Sequence, residues 1–150
     1  MSEPLAYHIT WTTYGSWLPG DARGWVKRPA QGIQSPEGPL ERNSHSSLAQ
    51  LPVVLDDENR QVVEQTIQRH CEIRSWTLRA LNVRTNHVHL IVSAPVSPEK
   101  AMGEFKSWCS RKLNERAGNK REWWTRHGST KWINDEEYLE NAIRYVIEGQ

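Results

Sequence analysis

The sequence is short of cysteine, of phenylalanine and of net charge. Its two cysteines, Cys71 and Cys109, lie far apart and form no Cys-x-x-Cys motif. Neither a disulfide framework nor a thiolate zinc site is therefore indicated, and a reducing compartment fits best. The formal net charge is only +1, so bulk charge neither requires nor forbids a nucleic-acid partner.

Long apolar runs are also missing. No segment approaches the length of a membrane span, and the N-terminus lacks the basic start and apolar stretch of a signal peptide. We therefore expect a cytoplasmic protein. Tryptophan, in contrast, is abundant, with eight residues against one phenylalanine. Tryptophan serves both as a large core side chain and as a stacking platform for bases.

Alternating apolar residues predict four strands. They cover about residues 6–13, 76–84, 87–93 and 123–133. We expect the last to be a short strand or hairpin interrupted at Gly128, because glycine is a common breaker of regular structure.

Helical spacing of apolar residues predicts three helices. The first covers residues 57–74, and the second begins at Pro98 behind Ser97 as its N-cap. The third is expected to begin after Asn134, because Glu137 three residues later would complete a capping box.

The order of these elements is β, α, β, β, α, β, α, which defines the fold class. It predicts an α+β protein with a ferredoxin-like (RRM-like) antiparallel sheet, helices on one face and an additional C-terminal helix. A chain of 150 residues is expected to form one domain. Residues 27–57 are rich in Pro, Gly, Ser and Gln, and we interpret them as a surface loop excursion.

The triplet His87-Val88-His89 is the main candidate for chemistry. Side chains alternate between the two faces of a strand, so both imidazoles project from one face with Cα atoms about 6.6 Å apart. Two convergent imidazoles can share a metal ion, whereas an isolated pair is more often ordinary surface. The intervening Val88 points into the core, which explains why the pattern is histidine, hydrophobe, histidine.

A tyrosine on the last helix supplies a possible second half of the site. Tyr138 and Tyr145 are seven residues apart and lie on the flank of the apolar stripe. Such a tyrosine is ordinarily a boundary residue with a hydrated hydroxyl. A free phenol is a weak nucleophile at neutral pH, but beside a phosphate polarised by a divalent cation it can attack phosphorus.

Four ordered blocks of the sequence together resemble the IS200-like and REP-associated tyrosine transposases, single-tyrosine members of the His-hydrophobe-His endonuclease superfamily. The blocks are residues 10–26 (TWTTYGSWLPGDARGWV), 86–92 (NHVHLIV), 124–132 (WTRHGSTKW) and 143–150 (IRYVIEGQ). The resemblance covers most of the chain outside about residues 27–57.

The resemblance implies a metal-dependent DNA transposase. His87 and His89 would be ligands of Mg²⁺ or Mn²⁺, and Tyr145 would be the nucleophile. Tyr145 would attack a phosphodiester in single-stranded or hairpin DNA, leaving a 5′-phosphotyrosine and a free 3′-hydroxyl that can later rejoin strands. Members of the family differ in working as monomers or as dimers, so a homodimer is left open.

The third metal ligand departs from the family pattern. The family places a glutamine or asparagine four residues after the tyrosine, where this chain has Gly149. The nearest candidates are Gln150, which we favour on the family pattern, and Glu148, which lies closer in helical angle. Gln150 would require a π-type turn or a helix end at Gly149.

Basic residues near these motifs are candidate DNA contacts, although each such residue is more often a solvated surface charge. They are Lys106, Arg111, Lys112, Arg126, His127 and Lys131. Trp17 and Trp25 could stack on bases or simply pack their own loop against the sheet.

Two other functions are compatible with parts of the sequence. A non-catalytic RRM-like module would bind single-stranded nucleic acid on sheet aromatics, but it has no use for the histidine pair. A small metallohydrolase that activates water would use the histidines, but it would not need Tyr145.

Overall fold

The computed structural model describes residues 4–16 and 51–148. Within these ranges the elements follow in the predicted order. The strands are β1 (Ala6–Thr13), β2 (Thr77–Val83), β3 (His87–Ser93) and β4 (Trp124–Ile133), and the helices are α1 (Asp57–Arg74), α2 (Pro98–Ala117) and α3 (Glu136–Glu148). In the described part of the chain, no helix is both long and apolar enough to cross a membrane.

The strands form one antiparallel sheet in the order β2-β3-β1-β4. β1 and β3 are therefore central, and β2 and β4 are the edges. This is the ferredoxin-like arrangement, and the prediction of an α+β fold of this type is confirmed.

The two faces of the sheet carry different layers. On one face, α1 and α2 cover the main core, in which Trp11 stacks on Phe105 with ring centroids 6.3 Å apart. On the other face, a smaller cluster joins Ile91 and Ile133 of the sheet to Leu139, Ala142 and Val146 of α3. The C-terminal helix thus lies alone on the face opposite to α1 and α2.

The helix starts follow from their capping residues, with one correction. Asp56 caps α1 and Ser97 caps α2, each accepting a hydrogen bond from a backbone N–H three residues later. The expected cap of α3 at Asn134 is wrong, because the Asp135 carboxylate accepts the hydrogen bond from the Tyr138 N–H at 2.8 Å. Both residue types cap helices well, so the spacing to Glu137 gave the start one residue early.

The expected interruption of the last strand at Gly128 is also wrong. β4 runs continuously, and Gly128 pairs with Trp11 in the ladder. A Cβ atom at Gly128 would lie 2.6 Å from the Met102 sulfur and 2.7 Å from the Thr10 carbonyl oxygen. The glycine is therefore needed for a close approach and does not break the strand. The ladder irregularity lies next to this pair, between Trp11 and Thr13 of β1, which pair with Gly128 and Trp124.

The excursion predicted at 27–57 is too long at its C-terminal end. Val53 and Leu55 are buried in the main core. The Thr13 hydroxyl donates to the Val53 carbonyl oxygen at 2.8 Å, and the Val53 N–H donates to the Tyr14 carbonyl oxygen at 2.9 Å. This short stretch therefore belongs to the folded body. The rest of the excursion, with Trp17 and Trp25, lies outside the described residues.

Candidate active site

β3 presents its two histidines on the face that also carries α3. Val88, Leu90 and Val92 point into the main core on the other face. In the ladder with β1, His87 lies opposite Thr12 and His89 lies opposite Thr10. The two imidazole centroids are 5.1 Å apart, so the prediction that the pair shares one face agrees with the observed geometry.

His87 is oriented by the residue that precedes it. Its Nδ1–H donates to the Asn86 side-chain carbonyl oxygen at 3.0 Å. In the neutral ring this leaves the lone pair on Nε2, which is the arrangement by which metal-binding histidines are usually fixed. Burial, and then the charge of Arg84, lower the pKa of His87.

His89 is buried, with only 3% of its surface exposed, and its Nε2 has no hydrogen-bond partner among the described residues. Burial lowers its pKa to about 4, and His87, His8 and Arg84 act in the same direction. The ring is therefore neutral, with an unused nitrogen. A neutral imidazole with a free lone pair is the form that binds a metal ion.

Tyr145 lies beside His89. Their ring centroids are 5.9 Å apart and the rings cross at 87°, while 55% of the tyrosine remains exposed. The position of α3 is set by its apolar stripe and by Asn82, whose side-chain amide donates to the Val146 carbonyl oxygen at 2.8 Å. Because Asn82 is also the cross-strand neighbour of His89, the tyrosine helix is tied directly beside the histidine pair.

A third imidazole, that of His8, completes the cluster, and sequence reasoning missed it. Its ring centroid lies 6.1 Å from that of Tyr145 and 6.2 Å from that of His89. Burial, and then the charge of Lys131, lower the pKa of His8. The available signal was that His8 falls on the polar side of the first predicted strand, but which residues it would face depends on strand pairing.

For the third metal ligand, the structure describes only the alternative, Glu148. Gly149 and Gln150 lie outside the described residues, and Glu148 is exposed at the end of α3. In residues 4–16 and 51–148, no group of three His, Cys, Asp or Glu side chains is arranged to hold a metal ion. The described donors are therefore the His87 and His89 imidazoles.

Three of the candidate DNA contacts belong to α2, whose buried side packs on the face opposite to α3. The Arg111 guanidinium lies 4.7 Å from the Trp108 ring centroid, and Lys112 lies 3.9 Å from Glu115. The Lys106 amine donates to the Thr125 carbonyl oxygen at 2.9 Å, and burial lowers its pKa. The fold does not bring Arg111 and Lys112 to Tyr145.

The other three candidates belong to β4. Arg126, His127 and Lys131 are exposed, and Lys131 lies opposite His8 in the ladder. Directly paired residues project from the same face of a sheet, so Lys131 shares the face of the imidazole cluster. It is the candidate cation that the fold places nearest to the cluster's edge.

Comparison with known proteins agrees with this architecture. Residues 52–148 match the sequence profile of the family described as "Transposase IS200 like". No curated protein matches the chain.

Two solved structures have a similar fold. One is a protein from Deinococcus radiodurans R1 assigned as a transposase, with a TM-score of 0.54, 17% identity, and coverage of 100% of this chain and 93% of that one. The other is a REP-associated tyrosine transposase bound to a REP hairpin, with a TM-score of 0.52, 11% identity, and coverage of 97% of this chain and 66% of that one.

The fold thus defines an α+β protein similar in architecture to these two solved structures. The matched region covers well over half of the chain. The chain belongs to the IS200-like transposase family.

Proposed function

We propose that this protein is a metal-dependent, single-tyrosine transposase that cuts and rejoins single-stranded or hairpin DNA. The observation that supports this most directly is the position of Tyr145, whose ring lies 5.9 Å from that of His89 on the sheet face that also carries His87. The helix-borne phenol is half exposed, so a DNA strand can reach its hydroxyl group.

In the proposed reaction the hydroxyl oxygen of Tyr145 attacks the phosphorus of a phosphodiester. A new bond forms between that oxygen and phosphorus, and the bond from phosphorus to the 3′ oxygen breaks. The phenolic proton passes to solvent, and the departing 3′ oxygen takes up a proton. The 5′-phosphotyrosine preserves the energy of the phosphodiester, so the 3′-hydroxyl of another strand can reverse the step without a nucleotide cofactor.

His87 and His89 would hold Mg²⁺ or Mn²⁺, which would withdraw charge from the attacked phosphate. The free Nε2 of His89 and the fixed tautomer of His87 fit this role. Gln150, or alternatively Glu148, would add an oxygen ligand, and oxygen donors favour Mg²⁺ or Mn²⁺ over zinc.

The DNA partner is proposed from the similar structures. The REP-associated tyrosine transposase of similar fold is bound to a REP hairpin, and a hairpin is therefore the first substrate class to test. Lys131 is the cation that we expect to contact the strand next to the cluster, because it lies opposite His8. Arg126 and His127 are further candidates on the same strand, and a homodimer remains a prediction for hydrodynamic measurement.

The central test is the formation of a covalent protein–DNA adduct. The protein is incubated with labelled hairpin and single-stranded DNAs and Mn²⁺, and the products are separated on a denaturing gel. We expect an adduct with the natural chain, none with Tyr145→Phe, and an unchanged amount with Tyr138→Phe. Tyr138 is the matched control because it is an exposed tyrosine on the same helix.

The alternatives predict other outcomes. If DNA is cleaved equally well by Tyr145→Phe, water is the nucleophile and the protein is a metallohydrolase. If every DNA binds but no adduct or cleavage appears with Mg²⁺, Mn²⁺ or Zn²⁺, the protein is a binding module. Metal dependence is checked by chelation with EDTA and by His89→Ala, each of which should abolish the adduct.

A further inference from the structure

The side chain of His8 has a nitrogen for which the described fold provides no partner. Its Nε2 is buried and makes no hydrogen bond to any described residue. A buried polar atom without a partner costs free energy, and such atoms are rare in folded proteins. An imidazole retained under these conditions calls for an explanation other than packing.

Packing does not require a polar side chain at this position. The direct neighbours of His8 in the sheet are the apolar Ile91 on β3 and the exposed Lys131 on β4, and neither requires an imidazole between them. The adjoining cluster under α3 is aliphatic. A ring without a nitrogen would fill the same space without the unsatisfied atom.

The surroundings of His8 point to the nucleophile. The rings of His8 and Tyr145 cross at 68° with centroids 6.1 Å apart, and the rings of His89 and Tyr145 cross at 87°. The phenol therefore stands in a cleft between two imidazoles, one on β1 and one on β3. Three elements that are distant in sequence meet at this one side chain.

We propose that His8 is a positioning residue for Tyr145 and accepts a hydrogen bond from the phenolic hydroxyl through Nε2. The exposed side of Tyr145 leaves its ring room to turn within the cleft. The bond would give the unpaired nitrogen a partner and would hold the hydroxyl oxygen in one direction, towards a bound phosphate. Fixed orientation of a nucleophile raises the rate of the chemical step and leaves ground-state binding unchanged. This inference rests on the proposed function.

The kinetic test compares three substitutions of His8 in the full chain. His8→Phe keeps a ring and removes the nitrogen, His8→Ala removes both, and His8→Gln retains an uncharged acceptor. At saturating hairpin DNA and Mn²⁺, we expect adduct formation to slow about tenfold in His8→Phe and at least that much in His8→Ala. His8→Gln should recover part of the rate, and the Kd for DNA should stay within a factor of two in all three.

A purely structural role makes the opposite prediction. If His8 only packs, His8→Phe should cut DNA at the natural rate, and this result would overturn the inference. An equal loss in DNA affinity would also overturn it, because His8 would then be a DNA contact. The melting temperature of His8→Phe is measured in parallel, so that a slower reaction in a fully folded variant is assigned to lost positioning and not to lost folding.

A second measurement does not depend on catalysis. In protein labelled at histidine nitrogen, the Nε2 resonance of His8 should move on Tyr145→Phe and stay in place on Tyr138→Phe. If the resonance does not move on Tyr145→Phe, the hydrogen bond does not form and the inference fails even if adducts are found. If the resonance moves but the natural chain forms no adduct with any DNA, the positioning contact holds and the proposed function is the part that fails.

Discussion

Gly128 shows how a single hydrogen atom in place of a side chain lets two layers meet. A Cβ atom at this position would meet the Met102 thioether of α2 and the Thr10 backbone of β1. Gly128→Ala forces a methyl group into this space, and overpacking of this kind costs about 1–3 kcal/mol. We expect a lower denaturant midpoint in equilibrium unfolding, with partial recovery when Met102→Ala is added.

Gly103 provides the matched control. It lies in α2, and a Cβ atom there would meet nothing within 4 Å. Gly103→Ala should stabilise the protein by about 0.5–1 kcal/mol, because alanine is the better helix former. Equal effects of the two substitutions would show that the contact at Gly128 is relieved by small movements.

At this scale the sequence was informative about residues whose role follows from local pattern. The alternation around Val88 predicted that His87 and His89 share a face, and the helical spacing put Tyr145 beside the apolar stripe. His8 and Asn82 could not be found in this way. Their roles depend on which strand lies next to which, and in what register, and no local pattern encodes that.

Among the elements, α3 matters most for the proposed chemistry, because its attachment to the sheet holds Tyr145 beside His89. Beyond its aliphatic stripe, its last turn is held by the hydrogen bond from Asn82 to the Val146 carbonyl oxygen. Asn82→Ala removes that bond, and we expect amide hydrogen exchange in α3 to rise roughly fivefold, in line with about 1 kcal/mol for a hydrogen bond. Adduct formation should slow with little change in DNA affinity.

Asn59→Ala serves as the control for this prediction. Asn59 is on α1, on the other side of the sheet, where its side chain accepts a hydrogen bond from Arg116. The substitution Asn59→Ala should leave amide hydrogen exchange in α3 unchanged. If Asn82→Ala also leaves exchange in α3 unchanged, the aliphatic stripe alone holds the helix.

Element types were readable from sequence, and element ends were less so. Periods of two and of 3.6 residues separated strands from helices along the whole described chain. The cap of α3 went to Asp135 because neighbouring Asn and Asp residues compete for one role. The continuity of β4 was missed because glycine often interrupts strands when only local preference is considered. Here Gly128 lies within the strand because its neighbours in the fold leave no room for a side chain.

For the whole molecule, acid sensitivity follows from a charged group between α1 and α2. Glu104 accepts hydrogen bonds from the Arg74 guanidinium at 2.8 and 3.0 Å and lies 2.7 Å from the His70 imidazole. The bond from Arg74 contributes most to lowering its pKa from 4.5 to about 2. A depressed carboxyl pKa stabilises the folded state above the unfolded value, and this stabilisation is lost as the pH falls towards the folded value.

We therefore expect the natural chain to be more stable than Glu104→Gln at neutral pH. The difference should shrink between about pH 4.5 and pH 2. Urea unfolding of both proteins across this range measures it. A constant difference across the range would mean that ionisation of Glu104 contributes nothing to stability.

The topology of the molecule was predictable because the order of strands and helices along the chain is compatible with few strand arrangements in one sheet. The burial of Val53 and Leu55 was not, since two apolar residues in a polar stretch carry no period. They are buried because Thr13 and Tyr14 bind that stretch to the end of β1, a pairing across many intervening residues.

The alternation of side chains along β3 has an evolutionary consequence. Even-numbered positions from Val88 to Val92 contribute to the main core, and odd-numbered positions from His87 to Ile91 face α3. Selection for a stable body and selection for what the open face does therefore act on different residues of the same strand. Related chains should show this as two interleaved substitution patterns, with the even positions drifting only among aliphatic residues while the odd positions follow the activity.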